Sequence, residues 1–252
     1  MRYETIIYRK AEAVCTISIN RTEVDNAINL RLAEELADIC AEIGRDEEAR
    51  AVIITGVGEK AFSVGVDLKE FPSQVAEPPS VAVSVASLKI PVIAAINGDA
   101  LGQGLELALA CDLRIAVDTA RFALNHVDSG LIPWDGATQR LPRLVGVAKA
   151  MEMLLTGQYM DAAEACQIGL IHEVVSRQEL MPLVTEMAQA IASKSPLAVR
   201  YAKEAICKGL ELTLEQGLHL EADLYCLLQT TEDRTEGIKA FLEKRAPKFK
   251  GK

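Results

Sequence analysis

The segment Ala100-Leu101-Gly102-Gln103-Gly104-Leu105-Glu106 joins a glycine turn to a single carboxylate, and its flanks indicate how the two are held. The apolar stretch Pro91-Val92-Ile93-Ala94-Ala95-Ile96-Asn97-Gly98 precedes it, and Leu107-Ala108-Leu109-Ala110-Cys111-Asp112 follows. This pattern predicts a buried strand, a turn and the start of a helix. The first N–H groups of a helix lack intrahelical acceptors, and the aligned peptide dipoles there favour an oxygen that gains negative charge. The carbonyl oxygen of a thioester passing toward an enolate is such an oxygen. Glu106, one turn into a helix otherwise filled with Leu and Ala, sets a proton donor or acceptor close to it.

The elements that must position these groups follow from periodicity. Thr5-Ile6-Ile7-Tyr8 and Ala13-Val14-Cys15-Thr16-Ile17-Ser18-Ile19 predict neighbouring strands. Leu32, Leu36, Ile39 and Ile43 recur at helical spacing and predict an amphipathic helix. Ala51-Val52-Ile53-Ile54-Thr55-Gly56 and Val92-Ile93-Ala94-Ala95-Ile96 are unbroken apolar runs, as expected of strands covered on both faces, and Leu113-Arg114-Ile115-Ala116-Val117 adds another. Beyond Met151 only Leu170-Ile171-His172-Glu173-Val174-Val175 reads as a strand. Helices are expected over about residues 180–193, 197–208, 214–228 and 231–244. The prolines Pro72, Pro78 and Pro79 predict a loop before the second apolar run. An α/β core followed by a helical tail results.

Bulk properties narrow the function. A chain of 252 residues buries a sizeable core, and one domain with an appendage suits that length. With 27 Lys+Arg against 36 Asp+Glu, the formal charge of -9 opposes nonspecific binding to nucleic acid or anionic membranes. No apolar run reaches the length of a membrane span, and Met1-Arg2-Tyr3-Glu4 lacks the order of a signal peptide, so a cytoplasmic protein is expected. Cys15, Cys40, Cys111, Cys166, Cys207 and Cys226 include no CxxC pair and read as reduced thiols, with neither a disulfide framework nor a metal site.

Longer motifs then connect. Asn20-Arg21 with Asn26-Ala27, the turn Gly58-Glu59-Lys60-Ala61-Phe62-Ser63-Val64-Gly65-Val66-Asp67-Leu68, the block 97–112, and Gly130-Leu131-Ile132-Pro133 with Thr138-Gln139-Arg140-Leu141 stand in one order. Together with the tail Phe241-Leu242-Glu243-Lys244-Arg245-Ala246-Pro247-Lys248-Phe249, they closely resemble the crotonase (enoyl-CoA hydratase/isomerase) superfamily over nearly the whole chain. The resemblance implies a crotonase-like spiral of repeated ββα units, with residues 1–195 as the α/β core and 196–252 as a C-terminal helical subdomain. It also implies an acyl-CoA thioester substrate, CoA being part of that substrate and no other cofactor needed, and a homotrimer or dimer of trimers.

Carried over position by position, the resemblance makes the N–H groups of Val66 and Gln103 the two donors to the acyl oxygen. Gln103 replaces the usual glycine, and a side chain there can crowd the acyl group or demand a backbone conformation cheap only for glycine; the N–H is still expected to point inward, because Gly102 and Gly104 keep the turn flexible. Glu106 falls on the first of two catalytic glutamates, and His126 stands where the second would be. A histidine can exchange protons near neutral pH without the raised pKa that a carboxyl needs, although a lone histidine is also a common structural residue. Trp134 and Asp135 replace small residues in a loop expected to line the acyl pocket, with Asp128 nearby; packing and a solvated carboxylate are the plainer roles of such residues. Arg21, Val64, Asp67 and Leu68 match CoA-binding positions near the nucleotide, and Tyr225, Phe241 and Lys244 match tail positions that touch CoA, sometimes from a neighbouring subunit.

Three functions compete at this point. The first is a lyase that adds water to an α,β-unsaturated acyl-CoA, with Glu106 as general acid/base and His126 as its partner. The second is an enoyl-CoA isomerase, or a hydrolase of a cyclic keto-acyl-CoA using His126 with Asp128 or Asp135. The third is a non-catalytic CoA- or RNA-binding relative, which the retained Glu106 and the acidic charge oppose.

Overall fold

The computed structural model describes residues 3–70 and 79–252. Met1, Arg2 and two prolines of the expected loop, Pro72 and Pro78, lie outside them.

Alternation in the first strands is resolved as a hairpin. β1 (Ile6–Ala11) pairs antiparallel with β2 (Val14–Ile19), with Ile6 opposite Ile19 and Ala11 opposite Val14. Helix α1 (Leu30–Arg45) begins where the Asn29 side chain accepts the Leu32 N–H, and it buries Leu32, Leu36, Ile39 and Ile43. Each such side chain contributes roughly 1.5–3 kcal/mol by leaving water. The chain next runs through β3 (Ala51–Gly56) and β4 (Ala61–Ser63), a short helix α2 (Ala82–Ala86), β5 (Val92–Ile96), β6 (Asp99–Leu101) and α3 (Gln103–Ala110). β7 (Leu113–Val117) and β8 (Arg121–Ala123) follow, then a 3-10 turn over Asn125–Ser129, α4 (Ala137–Val145) and α5 (Val147–Thr156). β9 (Met160–Asp161), α6 (Ala162–Gln167), β10 (Glu173–Val175) and α7 (Arg177–Ala192) complete the core, and α8 (Pro196–Gly209), α9 (Leu214–Gln229) and α10 (Glu232–Leu242) form the tail.

Two sheets result, one with strand order β1-β2-β3-β5-β7-β10 and one with order β4-β6-β8-β9. From β2 onward the larger sheet is parallel, and in the smaller one β4, β6 and β8 are parallel while β9 runs antiparallel to β8. Each successive pair, β3 with β4, β5 with β6 and β7 with β8, gives one strand to each sheet. Three turns of a spiral are therefore stacked, as the repeated ββα pattern requires. β3 and β5 are buried along their whole length, which explains their unbroken apolar sequences.

The corner from the larger sheet to the smaller is held by buried amides. Asn97 accepts the Gly56 N–H at 2.9 Å and donates to Gly58 O at 2.9 Å, while Asn26 donates to Val57 O at 3.0 Å and Ala61 O at 2.8 Å. These bonds pin the start of β4 and the turn before it against the end of β5. At the far end, Leu170 and Ile171 are not part of the expected six-residue strand. Both donate N–H bonds to Ala165 O, which closes the end of α6, so pairing starts only at Glu173. The tail is tied to the core by Lys203, whose ammonium meets Asp112 at 2.7 Å and Ile90 O at 3.0 Å.

Asn97→Asp replaces a donor amide by an acceptor that faces Gly58 O. A stability loss of about 1–3 kcal/mol is expected, read as a lowered urea midpoint; an unchanged midpoint would remove Asn97 from this role.

Candidate active site

The carboxyl ends of β4, β6 and β8 lie side by side in the smaller sheet, and each runs into a turn that delivers one functional group. Crevices at the carboxyl ends of parallel strands are the usual ligand sites of α/β sheets. After β4, Gly65 O accepts from the Ile28 N–H at 2.7 Å and the Asp67 N–H donates to Ile28 O at 2.8 Å. By strand alternation, the N–H of Val66 between them points away from Ile28, on the side of the cavity. After β6, Gly102 takes φ 51 and ψ -125 as the cap of α3, so the conformation reserved for glycine falls on Gly102. Gln103 is the first helical residue, and its N–H has no intrahelical acceptor.

The two donors are brought together by Gly65, at φ 89, because a Cβ there would lie 3.0 Å from Gln103 N and 2.9 Å from Leu101 O. Gln103 thus needs no glycine backbone, because the left-handed conformation falls on Gly102. Nor does its side chain run free in the acyl space: it is fully buried, and its Nε2 donates to Pro79 O at 2.6 Å and Asp135 Oδ2 at 3.1 Å.

Glu106 is fully buried, and its Oε1 accepts the N–H groups of Asp135 at 2.9 Å and Ala137 at 3.0 Å. Its Oε2 lies 3.4 Å from His126 Nε2, close but not aligned as a hydrogen bond. His126, from the 3-10 turn after β8, has a side chain only 8% exposed. Glu106 Oε2, both His126 ring nitrogens and Gln103 Oε1 are buried polar atoms without a hydrogen-bond partner. Such atoms are costly unless a ligand or solvent meets them, and here they gather around one cavity.

That cavity, of about 390 Å³, is lined by Val64, Val66, Leu68, Gly102, Gln103, Asn125, His126, Ser129, Leu131, Ile132 and Trp134. Val66, Gln103 and His126 therefore converge, with Glu106 beside His126, and Trp134 forms part of the wall. Asn125, Ser129, Leu131 and Ile132 join them without having been singled out as site residues. Two of these, Leu131 and Ile132, sit in the Gly130–Pro133 motif, which was the available signal.

Other expected site residues are placed differently. Asp128 is exposed, and its carboxylate lies beside Gly157, because a Cβ on Gly157 would stand 3.3 Å from Asp128 Oδ1. Asp135 is buried outside the cavity wall, its carboxylate taken up by Ser80 Oγ, the N–H groups of Val81 and Ala82, and Gln103. Arg21 is also buried, donating to Ala27 O at 2.8 Å and meeting Glu70 at 2.7 Å and Asp67 at 3.0 Å. The guanidinium and the Asp67 carboxylate thus serve each other and brace the turn that carries Val66. Tyr225, Phe241 and Lys244 lie on the tail and line no part of this cavity, with Tyr225 60% and Phe241 82% exposed.

Two convergent N–H donors beside a carboxylate and an imidazole are the equipment of an enzyme that polarises a carbonyl and moves a proton next to it. The chain belongs to the enoyl-CoA hydratase/isomerase family, whose model matches residues 9–252. It is 47% identical over 250 residues, 96% of each chain, to the family protein YngF of Bacillus subtilis. It is 40% identical over 260 residues, 99% of each chain, to the crotonyl-CoA hydratase of Syntrophomonas wolfei. The crystal structure of enoyl-CoA hydratase from Bacillus anthracis superimposes with a TM-score of 0.95 at 43% identity, covering 99% of this chain and 100% of that one.

Gly65→Ala would force the Val66 and Gln103 turns apart. Turnover of an enoyl-CoA thioester is expected to fall about 10²-fold, the loss typical of one displaced oxyanion donor, with the far-UV circular dichroism retained. Full turnover by this variant would contradict the placement of the two donors.

Proposed function

We propose that the protein hydrates an α,β-unsaturated acyl-CoA thioester, and runs the reverse dehydration, with the acyl oxygen held by the Val66 and Gln103 N–H groups. The observation that carries this reading is Glu106: buried, fixed through Oε1 by two N–H groups, and with Oε2 turned toward His126 Nε2 at 3.4 Å beside the cavity. Water adds through its oxygen to the β-carbon while Glu106 takes its proton. The displaced π electrons pass to the thioester, where the two N–H groups and the α3 N-terminus stabilise the enolate oxygen. His126 is the second proton-transfer group, and a proton delivered to the α-carbon completes the addition. No cofactor is needed beyond the CoA of the substrate.

Val64, Val66, Leu68, Leu131, Ile132 and Trp134 make most of the cavity wall apolar, and no Lys or Arg is among its lining residues, which favours a small uncharged acyl group. Hydrolysis of a cyclic keto-acyl-CoA would need an aspartate facing His126. Asp128 is exposed beside Gly157 and Asp135 is engaged elsewhere, so hydration is the better supported reaction. For the nucleotide end, backbone groups near Val64, Asp67 and Leu68 remain the proposed adenine contacts. Tyr225, Phe241 and Lys244 would reach CoA from a neighbouring subunit. The exposed Leu214, Leu218, Leu227, Phe241 and Leu242 of the tail suit burial between subunits, in keeping with a trimer or a dimer of trimers. No helix among the described residues is long and apolar enough to cross a membrane, and the proposed setting is the cytoplasm.

Glu106→Gln is expected to lower kcat for crotonyl-CoA hydration by about 10²–10⁴-fold while CoA-thioester affinity is preserved, as followed by the mass gain of one water. His126→Ala should lower kcat in the same range. Unchanged turnover in either variant would take that residue out of the mechanism, and no water gain by the unaltered protein on any enoyl-CoA would defeat the hydration reading.

A further inference from the structure

Asp135 is 2% exposed, and no Lys or Arg among the described residues is paired with its carboxylate. Neutral donors surround the charge instead. Ser80 Oγ reaches Oδ1 at 2.6 Å, and the Val81 N–H at 2.8 Å, the Ala82 N–H at 3.0 Å and Gln103 Nε2 at 3.1 Å all reach Oδ2. A carboxylate kept this far from water needs such a set of donors to remain in place. Three of them come from the start of α2 and would suffice for a local cap. The fourth comes from the residue whose N–H is the second oxyanion donor. The Gln103 amide has no freedom to turn over, because Nε2 faces two acceptors, Asp135 Oδ2 and Pro79 O.

The main chain of the same residue faces the acid/base group. Asp135 N donates to Glu106 Oε1 at 2.9 Å, Ala137 N supports the same oxygen at 3.0 Å, and Arg140 Nη1 donates to Asp135 O at 2.9 Å. Side chain and backbone of one residue therefore touch Gln103 and Glu106 at once, and those two are neighbours three positions apart on α3. We propose that Asp135 is a positioning residue that sets the oxyanion donor at Gln103 and the carboxylate of Glu106 in a fixed relation, with the Gln103 side chain as its required counterpart. The two departures from the small residues expected at these positions are then one device: a buried charge and the amide that answers it.

This inference rests on the proposed hydration chemistry, so its test carries a readout that needs no hydration. Asp135→Ala, Asp135→Asn, Gln103→Ala and the double variant Gln103→Ala/Asp135→Ala are compared with the unaltered protein for crotonyl-CoA kcat, KM and thermal midpoint. Ionisation of bound acetoacetyl-CoA, whose enolate absorbs in the near ultraviolet, is followed in parallel. Asp135→Ala and Gln103→Ala are expected to lower kcat about 10–100-fold with KM changed less than about threefold, and to reduce the bound-enolate signal. The double variant should be no worse than the poorer single one, as for two parts of one contact. Asp135→Asn, with its oxygen in the place of Oδ2, keeps an acceptor for Val81, Ala82 and Gln103 and turns its NH2 toward Ser80 Oγ, so it should keep kcat and the enolate signal within about threefold of the unaltered protein, a rescue that Asp135→Ala does not give. Gln103→Ala leaves the other three bonds to Asp135 in place, so a folding failure of Asp135→Ala does not end the test.

A loss of thermal midpoint with unchanged kcat and enolate signal would overturn the assignment, as would additive losses in the double variant. An unaltered protein that ionises acetoacetyl-CoA but hydrates nothing would sink the hydration reading alone, and the enolate signal of the variants would still decide the role of Asp135. Neither signal in the unaltered protein would overturn both.

Discussion

The close approach of two turns at one edge of the smaller sheet is the constraint on which the rest depends. The turn after β4 and the turn after β6 meet where Gly65 stands against Leu101 O and Gln103 N, with no room there for a side chain. Two N–H groups that never pair with each other are thereby aimed into one space. Much of the surrounding structure serves to hold these turns: Asn26 and Asn97 fix the strand corner, and Arg21 with Asp67 and Glu70 braces the loop behind Val66. Parallel pairing of β4, β6 and β8 puts three successive turns at the same edge, so neither donor nor acid/base group has to be carried by a long loop.

Electrostatically the site is built from dipoles and not from ion pairs. Glu106 is held by main-chain N–H groups and Asp135 by main-chain N–H groups, a hydroxyl and an amide. Among the described residues no Lys or Arg is paired with either carboxylate, and only the His126 imidazole, charged only when protonated, stands beside Glu106. Arg21, the buried guanidinium nearest the Val66 turn, is spent on Asp67 and Glu70 and adds no unpaired charge.

Legibility in the sequence followed the range of the interaction involved. α1, β3, β5 and β7 were readable because their apolar residues repeat over five or more positions and each is decided by local burial. β4, β6 and β8 were not, since three residues are too few to show a period and their pairing depends on distant partners. Glu106 and the glycine turn were legible as a strand-turn-helix signal, although β6 intervenes between the long strand and the turn. Val66 and His126 rested on the family resemblance, and the geometry sets both at the cavity. Asp135 was misread as a pocket residue because nothing local distinguishes a loop aspartate facing substrate from one buried against a helix more than fifty residues away. The buried pairing of Arg21 with Asp67 and Glu70 was hidden for the same reason, these partners being remote in sequence.

The spiral has a consequence for how such enzymes diversify. Of the groups in the proposed reaction, the first turn of the stack carries the Val66 N–H, the second the Gln103 N–H and Glu106, and the third His126. The two proposed oxyanion donors and the second proposed proton-transfer group thus sit on different storeys of the fold, joined by sheet pairing. A mutation that exchanges the group on the third storey leaves the carbonyl-polarising apparatus of the other two intact. On the proposed reading, an imidazole in place of a carboxylate is a change of reagent within an otherwise unchanged vessel, one that alters what is done to a thioester and not how it is held.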